Sequence, residues 1–291
     1  MSSRTKLVGA LTLLTGTFVL LYWHVIVKLV HDWSVDENYS HGFLIVPLAV
    51  YFAWERRDRL QLLPVRGSSI GLVFVAGSLL VLIAGLLGAE LFLTRISMIG
   101  MLVGMVLFVL GWKHLKALMF PLGILLLMIP VPAILFNQIL FPLQLLASRV
   151  GEASLSAGGI PVLREGNVIT LANTKLEVAE ACSGIRSLVS LLTLAIVYGY
   201  FVDSRTSVRL AIALSAIPVA ILANGVRVAG TGFAAHYLGP AAAEGFFHTF
   251  SGWLVFVVAF VLLCGVMQLL RWLAPVAKPT PPLAATVAVK P

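Results

Sequence analysis

Charge is what this chain has least of. Asp, Glu, Lys and Arg make up 11% of its 291 residues, against about a quarter in a water-soluble domain. With 60% hydrophobic residues and a mean hydropathy of +1.02, a soluble globular fold is set aside. Cysteine is nearly absent too, at Cys182 and Cys264 only. No CxxC or HExxH occurs, and His24, His31, His114 and His236 are scattered, so no metal is expected. Gly-rich phosphate loops are missing, and no cofactor is implied. The net charge of +8 does not indicate nucleic acid, because basic residues in membrane loops are the ordinary topology signal.

Apolar runs are what the chain has in abundance. They cover about 7–28, 42–54, 69–89, 94–111, 115–130, 183–202, 207–223 and 251–271, and runs near 20 residues can cross a bilayer core. The expectation is an all-α polytopic membrane protein of about eight transmembrane helices. The first run is too long for a cleavable signal core and reads as a retained span. The stretch 133–150, interrupted by Asn137, Gln138, Pro142 and Arg149, reads as a re-entrant or surface-lying amphipathic segment or an extra half-span. Residues 1–272 read as one integral-membrane domain and 273–291, rich in Pro and Lys, as a disordered tail.

Loop charges set the orientation. With the N-terminus cytoplasmic, the inside loops carry Arg56, Arg57, Arg59, Arg66, Lys113, Lys116, Arg205, Arg209 and Arg271, while the other side carries most of the acids. Both termini are then cytoplasmic, and 131–182 is one outside excursion. Within it, "NVITLANTKLEVAEAC" alternates apolar and polar about a turn, which predicts a small β-hairpin ending at Cys182. It must lie outside the hydrocarbon, where open strand edges are not tolerated.

Three separate segments deliver chemistry to that same side. Cys182 opens the span 183–202, Arg227 follows Asn224 at the end of the next, and His248 stands at the mouth of the last. A thiolate attacks a carbonyl, an imidazole moves the proton, and a guanidinium stabilises the developing oxyanion. Each residue also has an ordinary reading. Cys182 can be an apolar filler; Arg227 can snorkel or pair with Glu180 or Glu244; His248 can cap its helix or join the aromatic layer of Phe246, Phe247, Phe250 and Trp253. Glu180, Ser183 and Asn224 are candidates for orienting His248 and Arg227. His41, in "NYSHGFLIVP", reads either as a helix cap or as a substrate contact. Cys264 lies roughly 20 Å below the outer end of its span at about 1.5 Å per residue, too deep to pair with Cys182.

The blocks "EACSGIRSL", "NGVR" and "FFHTFSGW", with "NYSHGFLIVPL" near the start, resemble the signature blocks of the exosortase/archaeosortase family over roughly 35–272. The resemblance implies a bacterial inner-membrane cysteine transpeptidase with its site on the periplasmic face. It implies Cys182 as nucleophile, Arg227 as oxyanion or substrate stabiliser and His248 as acid/base. Its expected partners are membrane lipids and substrate proteins carrying a C-terminal sorting signal: a Pro-Glu-Pro-type (PEP-CTERM) motif, a transmembrane helix and a basic tail. Such systems accompany exopolysaccharide and biofilm production. The residues by themselves leave three rivals open: a transporter, a serine-type intramembrane protease using Ser183 and His248, and a non-enzymatic scaffold for polysaccharide assembly.

Overall fold

The structure, a computed structural model, describes residues 3–36, 38–172, 174–177, 185–239 and 246–273. In chain order the helices are α1 (Ser3–Val35), α2 (Gly42–Glu55), α3 (Arg57–Leu62), α4 (Ile70–Leu87), α5 (Leu91–Val109) and α6 (Trp112–Ile124), the last running into a 3₁₀ turn, Leu125–Met128. Then come α7 (Ala133–Ala157), the strands β1 (Leu163–Glu165), β2 (Val168–Thr170) and β3 (Lys175–Glu177), and α8 (Ile185–Val202), α9 (Thr206–Leu238) and α10 (Phe246–Leu273).

The exterior is the reverse of a soluble protein's. On α4, Val73, Leu80 and Leu87 recur every seven residues and are 69%, 68% and 84% exposed. Such a stripe is stable against lipid, not water. Among the described residues five helices are long and apolar enough to cross a membrane, within α1, α4, α5, α9 and α10. The chain is therefore a multi-pass helical membrane protein. Over the described residues two expected spans are among the shorter apolar helices, Gly42–Glu55 and Leu188–Val202. The expected span 115–130 divides into α6, with Pro121 inside it, and the 3₁₀ turn. A 14-residue helix such as α2 covers about 21 Å, short of a hydrocarbon core of about 30 Å. Instead α2 and the α6 segment bury each other, through Ile45, Phe52, Ile124 and Met128.

Three cores organise the chain. The first joins α1, α2, α4, α5 and α6 around Tyr22, Phe52 and Met98. The second joins α8, α9 and α10 around Leu191, Ile212 and Leu263. The third, a cap, packs α7, the sheet and the end of α9 around Leu155, Ile169 and Val228. The sheet is antiparallel in the order β1-β2-β3, with Arg164 opposite Ile169 and Ile169 opposite Leu176. The hairpin expected from the alternation is β2–β3, and β1 is an additional strand. Gly166 and Asn167 make its tight turn, and Gly166 has φ +64°, a conformation glycine takes freely. Arg164 Nε donates to Glu152 Oε2 at 2.7 Å and ties the sheet to α7.

The first two bundles are welded at one end. Tyr200 Oη donates to Glu55 Oε2 at 2.9 Å, its ring stacks on Phe120 at 4.4 Å, and the Arg209 guanidinium lies 4.6 Å over that ring. Arg271 donates to the Val202 carbonyl nearby. The C-terminal ends of α2, α8 and α10 and the start of α9 thus meet among the basic loops, as the charge pattern predicts. By chain direction, the starts of α2, α8 and α10 and the end of α9 lie at the opposite end.

Two expectations about helix length are corrected here. The apolar run 207–223 continues as helix to Leu238, about 50 Å in all, far longer than a bilayer core. The segment 133–150 is part of one unbroken helix reaching Ala157. The reason is mutual burial in the cap. A methyl group on Gly225 would stand 2.5 Å from Val150, one on Gly151 2.6 Å from Val228, one on Gly232 2.7 Å from Leu155 and one on Gly158 2.6 Å from Phe233. These pairs advance together along both chains, so α7 and α9 run parallel, with glycine admitting the opposing side chain at each step.

Candidate functional site

The end opposite the basic loops carries the candidate site. Arg227 lies about 30 Å along α9 from Thr206 at roughly 1.5 Å per residue, the thickness of a hydrocarbon core. Asn224 precedes it by three residues on the same side of the helix and is buried, 4% exposed. Val226, pointing elsewhere, is 65% exposed, whereas Val228 is buried in the cap core. The glycine contacts with α7 thus hold this turn of α9 rigidly from one side.

From the other side it meets α10. A methyl group added at Gly252 would lie 3.2 Å from Nη2, 3.4 Å from Cζ and 3.6 Å from Nη1 of Arg227. The guanidinium therefore rests on the α10 backbone at a position without a side chain. His248 belongs to the same helix, four residues earlier, and residues four apart share a helix face. The structure brings Arg227 to Gly252, one helical turn after position 248 along α10. Glu180, Cys182 and Ser183 lie outside the described residues. They fall between the end of β3 at Glu177 and the start of α8 at Ile185, and Leu188 in the first turns of α8 packs into the core shared with α9 and α10.

His41 is placed elsewhere. It occupies the N-cap position of α2 but makes no side-chain cap, so the capping reading fails. Its Nε2 lies 3.1 Å from the Leu127 carbonyl oxygen, and its ring approaches Tyr39. It ties α2 to the 3₁₀ turn. Cys264 is half-buried inside α10.

At the basic end Asp203 sits between α8 and α9 with its side chain 1% exposed. The side-chain and backbone hydrogen bonds from Arg205 hold its carboxyl down to about 2. A feature absent from the sequence reading lies at the far end: Arg95, 2% exposed, is ion-paired with Asp32. The available signal was a lone Arg inside the apolar run 94–111, where an ionisable group demands a partner.

This architecture defines a multi-pass helical membrane protein with Arg95, Asp32, Asn224 and Arg227 at the end away from its basic loops. The chain belongs to the transmembrane exosortase family (Exosortase_EpsH), whose family model matches residues 33–265. That membership marks a membrane-embedded transpeptidase. No curated protein and no solved structure matches the chain.

Proposed function

We propose that the chain cleaves C-terminal sorting signals of exported proteins and passes the new carboxyl end to an acceptor, with Cys182 as nucleophile, Arg227 as oxyanion or substrate stabiliser and His248 as acid/base. The supporting observation is the seat of Arg227 on α10 one turn from His248, within the span of the family match.

The Cys182 thiol passes its proton to His248, and the sulfur attacks the scissile carbonyl carbon. Negative charge builds on the carbonyl oxygen, where a fixed guanidinium in a partly dry site stabilises it. The C–N bond breaks, His248 protonates the leaving amine, and a thioester remains on Cys182 while the anchored tail departs. An amine acceptor, or water, then attacks the thioester and releases the thiol. Glu180, Ser183 and Asn224 orient the catalytic groups. The site faces the periplasm of a bacterial inner membrane with both termini cytoplasmic, in a system coupled to exopolysaccharide and biofilm production.

The test is co-expression with a tail-anchored protein carrying a Pro-Glu-Pro-type signal, followed by mass spectrometry of the cleaved end. Cys182→Ala is expected to abolish processing at unchanged expression, and Ser183→Ala to lower it without abolishing it. Normal processing by Cys182→Ala would falsify the nucleophile assignment.

A further inference from the structure

A cleft of about 400 Å³ opens at the same end of the molecule as Arg227, in the first bundle. The end of α1, the turn leading into α2, the tight α4–α5 connection and the segment before α7 form it. Its polar walls are Asp32, Asp36, Tyr39, Glu90 and Arg95, and Pro130–Pro132 and Phe92 supply apolar surface. Its volume falls within the range of small-ligand sites.

Glu90, Asp36 and Arg95 are each held in place and keep capacity for a further bond among the described residues. Glu90 caps α5, its Oε2 accepting from the Phe92 and Leu93 N–H groups at 2.9 and 3.2 Å. Asp36 Oδ1 accepts from the Asn38 N–H at 2.9 Å. Glu90 Oε1 and Asp36 Oδ2 have no donor among the described residues. Deeper in, Arg95 spends Nη2 on Asp32, and its remaining guanidinium N–H groups meet no acceptor among the described residues. Tyr39 Oη accepts from the Val131 N–H at 3.2 Å and fixes the far wall.

The charges do not balance. Among the described residues, Lys28 Nζ, 3.1 Å from Asp32 Oδ1, joins Arg95 against three carboxylates and leaves one negative charge uncompensated. His31, 3.7 Å from Asp32, adds charge only when protonated. A ligand that completes this cleft carries one positive charge with N–H donors toward Glu90 and Asp36, and an oxygen acceptor a few bonds away for Arg95.

We propose that this cleft binds a small primary ammonium bearing a nearby oxygen acceptor. The proposal stands independently of the cysteine chemistry. Two sources offer that group, a soluble amine and the ethanolamine headgroup of a membrane lipid.

The experiment uses the full chain in phosphatidylglycerol nanodiscs at pH 8, with β-alaninamide as probe and saturation-transfer NMR as readout. Saturable binding of β-alaninamide is expected, and none of its neutral N-acetyl derivative. Asp36→Asn/Glu90→Gln retains the capping acceptors but removes both charges, and should weaken binding at least tenfold. Arg95→Lys keeps the ion pair without the planar fork and should weaken it severalfold. Adding phosphatidylethanolamine to the discs separates the sources: loss of probe binding assigns the site to a lipid headgroup, and unchanged binding to a soluble amine. Absence of saturable binding, equal binding of the acetylated probe, or wild-type affinity in the double variant overturns the proposal.

Discussion

The guanidinium of Arg227 lies against a helix backbone because residue 252 is glycine. A methyl there is a tight fit that the flexible end of Arg227 absorbs by a few tenths of an ångström, whereas a longer side chain pushes it out. Gly252→Ala is expected to lower processing only a few-fold. Gly252→Leu should lower it about 100-fold, the scale of a misplacement near 1 Å, with the purified protein still folded. Equal activity in the two variants contradicts the seat. At the opposite end, Asp203 is a stability residue. Its folded-state carboxyl is lowered to about 2, chiefly by the Arg205 side chain, so it stabilises the fold above its ordinary range near 4. That contribution fades as pH falls from about 4 to 2. Asp203→Asn should therefore lower the unfolding temperature in detergent at pH 7, and the gap to wild type should close on acidification through this window. A gap that stays constant down to pH 2 contradicts the assignment.

At the scale of elements, the parallel seam between α7 and α9 sets where Arg227 stands. Gly225→Val and Gly232→Val drive methyl groups into Val150 and Leu155 and are expected to cost about 1–3 kcal/mol each by overpacking. The readouts are thermal unfolding and faster proteolysis of the 163–177 sheet, and unchanged protection contradicts a packed cap. Much of this layer was legible in the chain. The apolar runs gave most of the helices, and the alternation around Ile169 and Leu176 gave β2–β3. The end of α9 was not legible, because Asn224-Gly225 reads as a helix stop until Val150 of another helix fills the space over the glycine. Strand β1 was missed although Gly166-Asn167 is a two-residue turn signal. Its alternation is too short to stand out beside α7.

For the whole molecule, the basic loops and Arg227 lie at opposite ends. Tyr200, Phe120, Arg56 and Arg209 join the bundles at the basic end, and Arg227 meets Gly252 of α10 at the other. The gathering of the basic loops at one end was legible in the loop charges, and the family in the blocks around Cys182, Arg227 and His248. The cleft at Arg95 was not legible, since only the fold shows that Asp32, Asp36 and Glu90 from separate loops surround it. The central claim is that Cys182 shares its surroundings with Arg227 and His248. The most direct measurement is the pH dependence of Cys182 alkylation by iodoacetamide in a Cys264→Ala background. An apparent pKa below the free-thiol value of about 8.5 is expected, rising when His248→Ala or Arg227→Ala is introduced. A profile at the free-thiol value that neither substitution moves would contradict it.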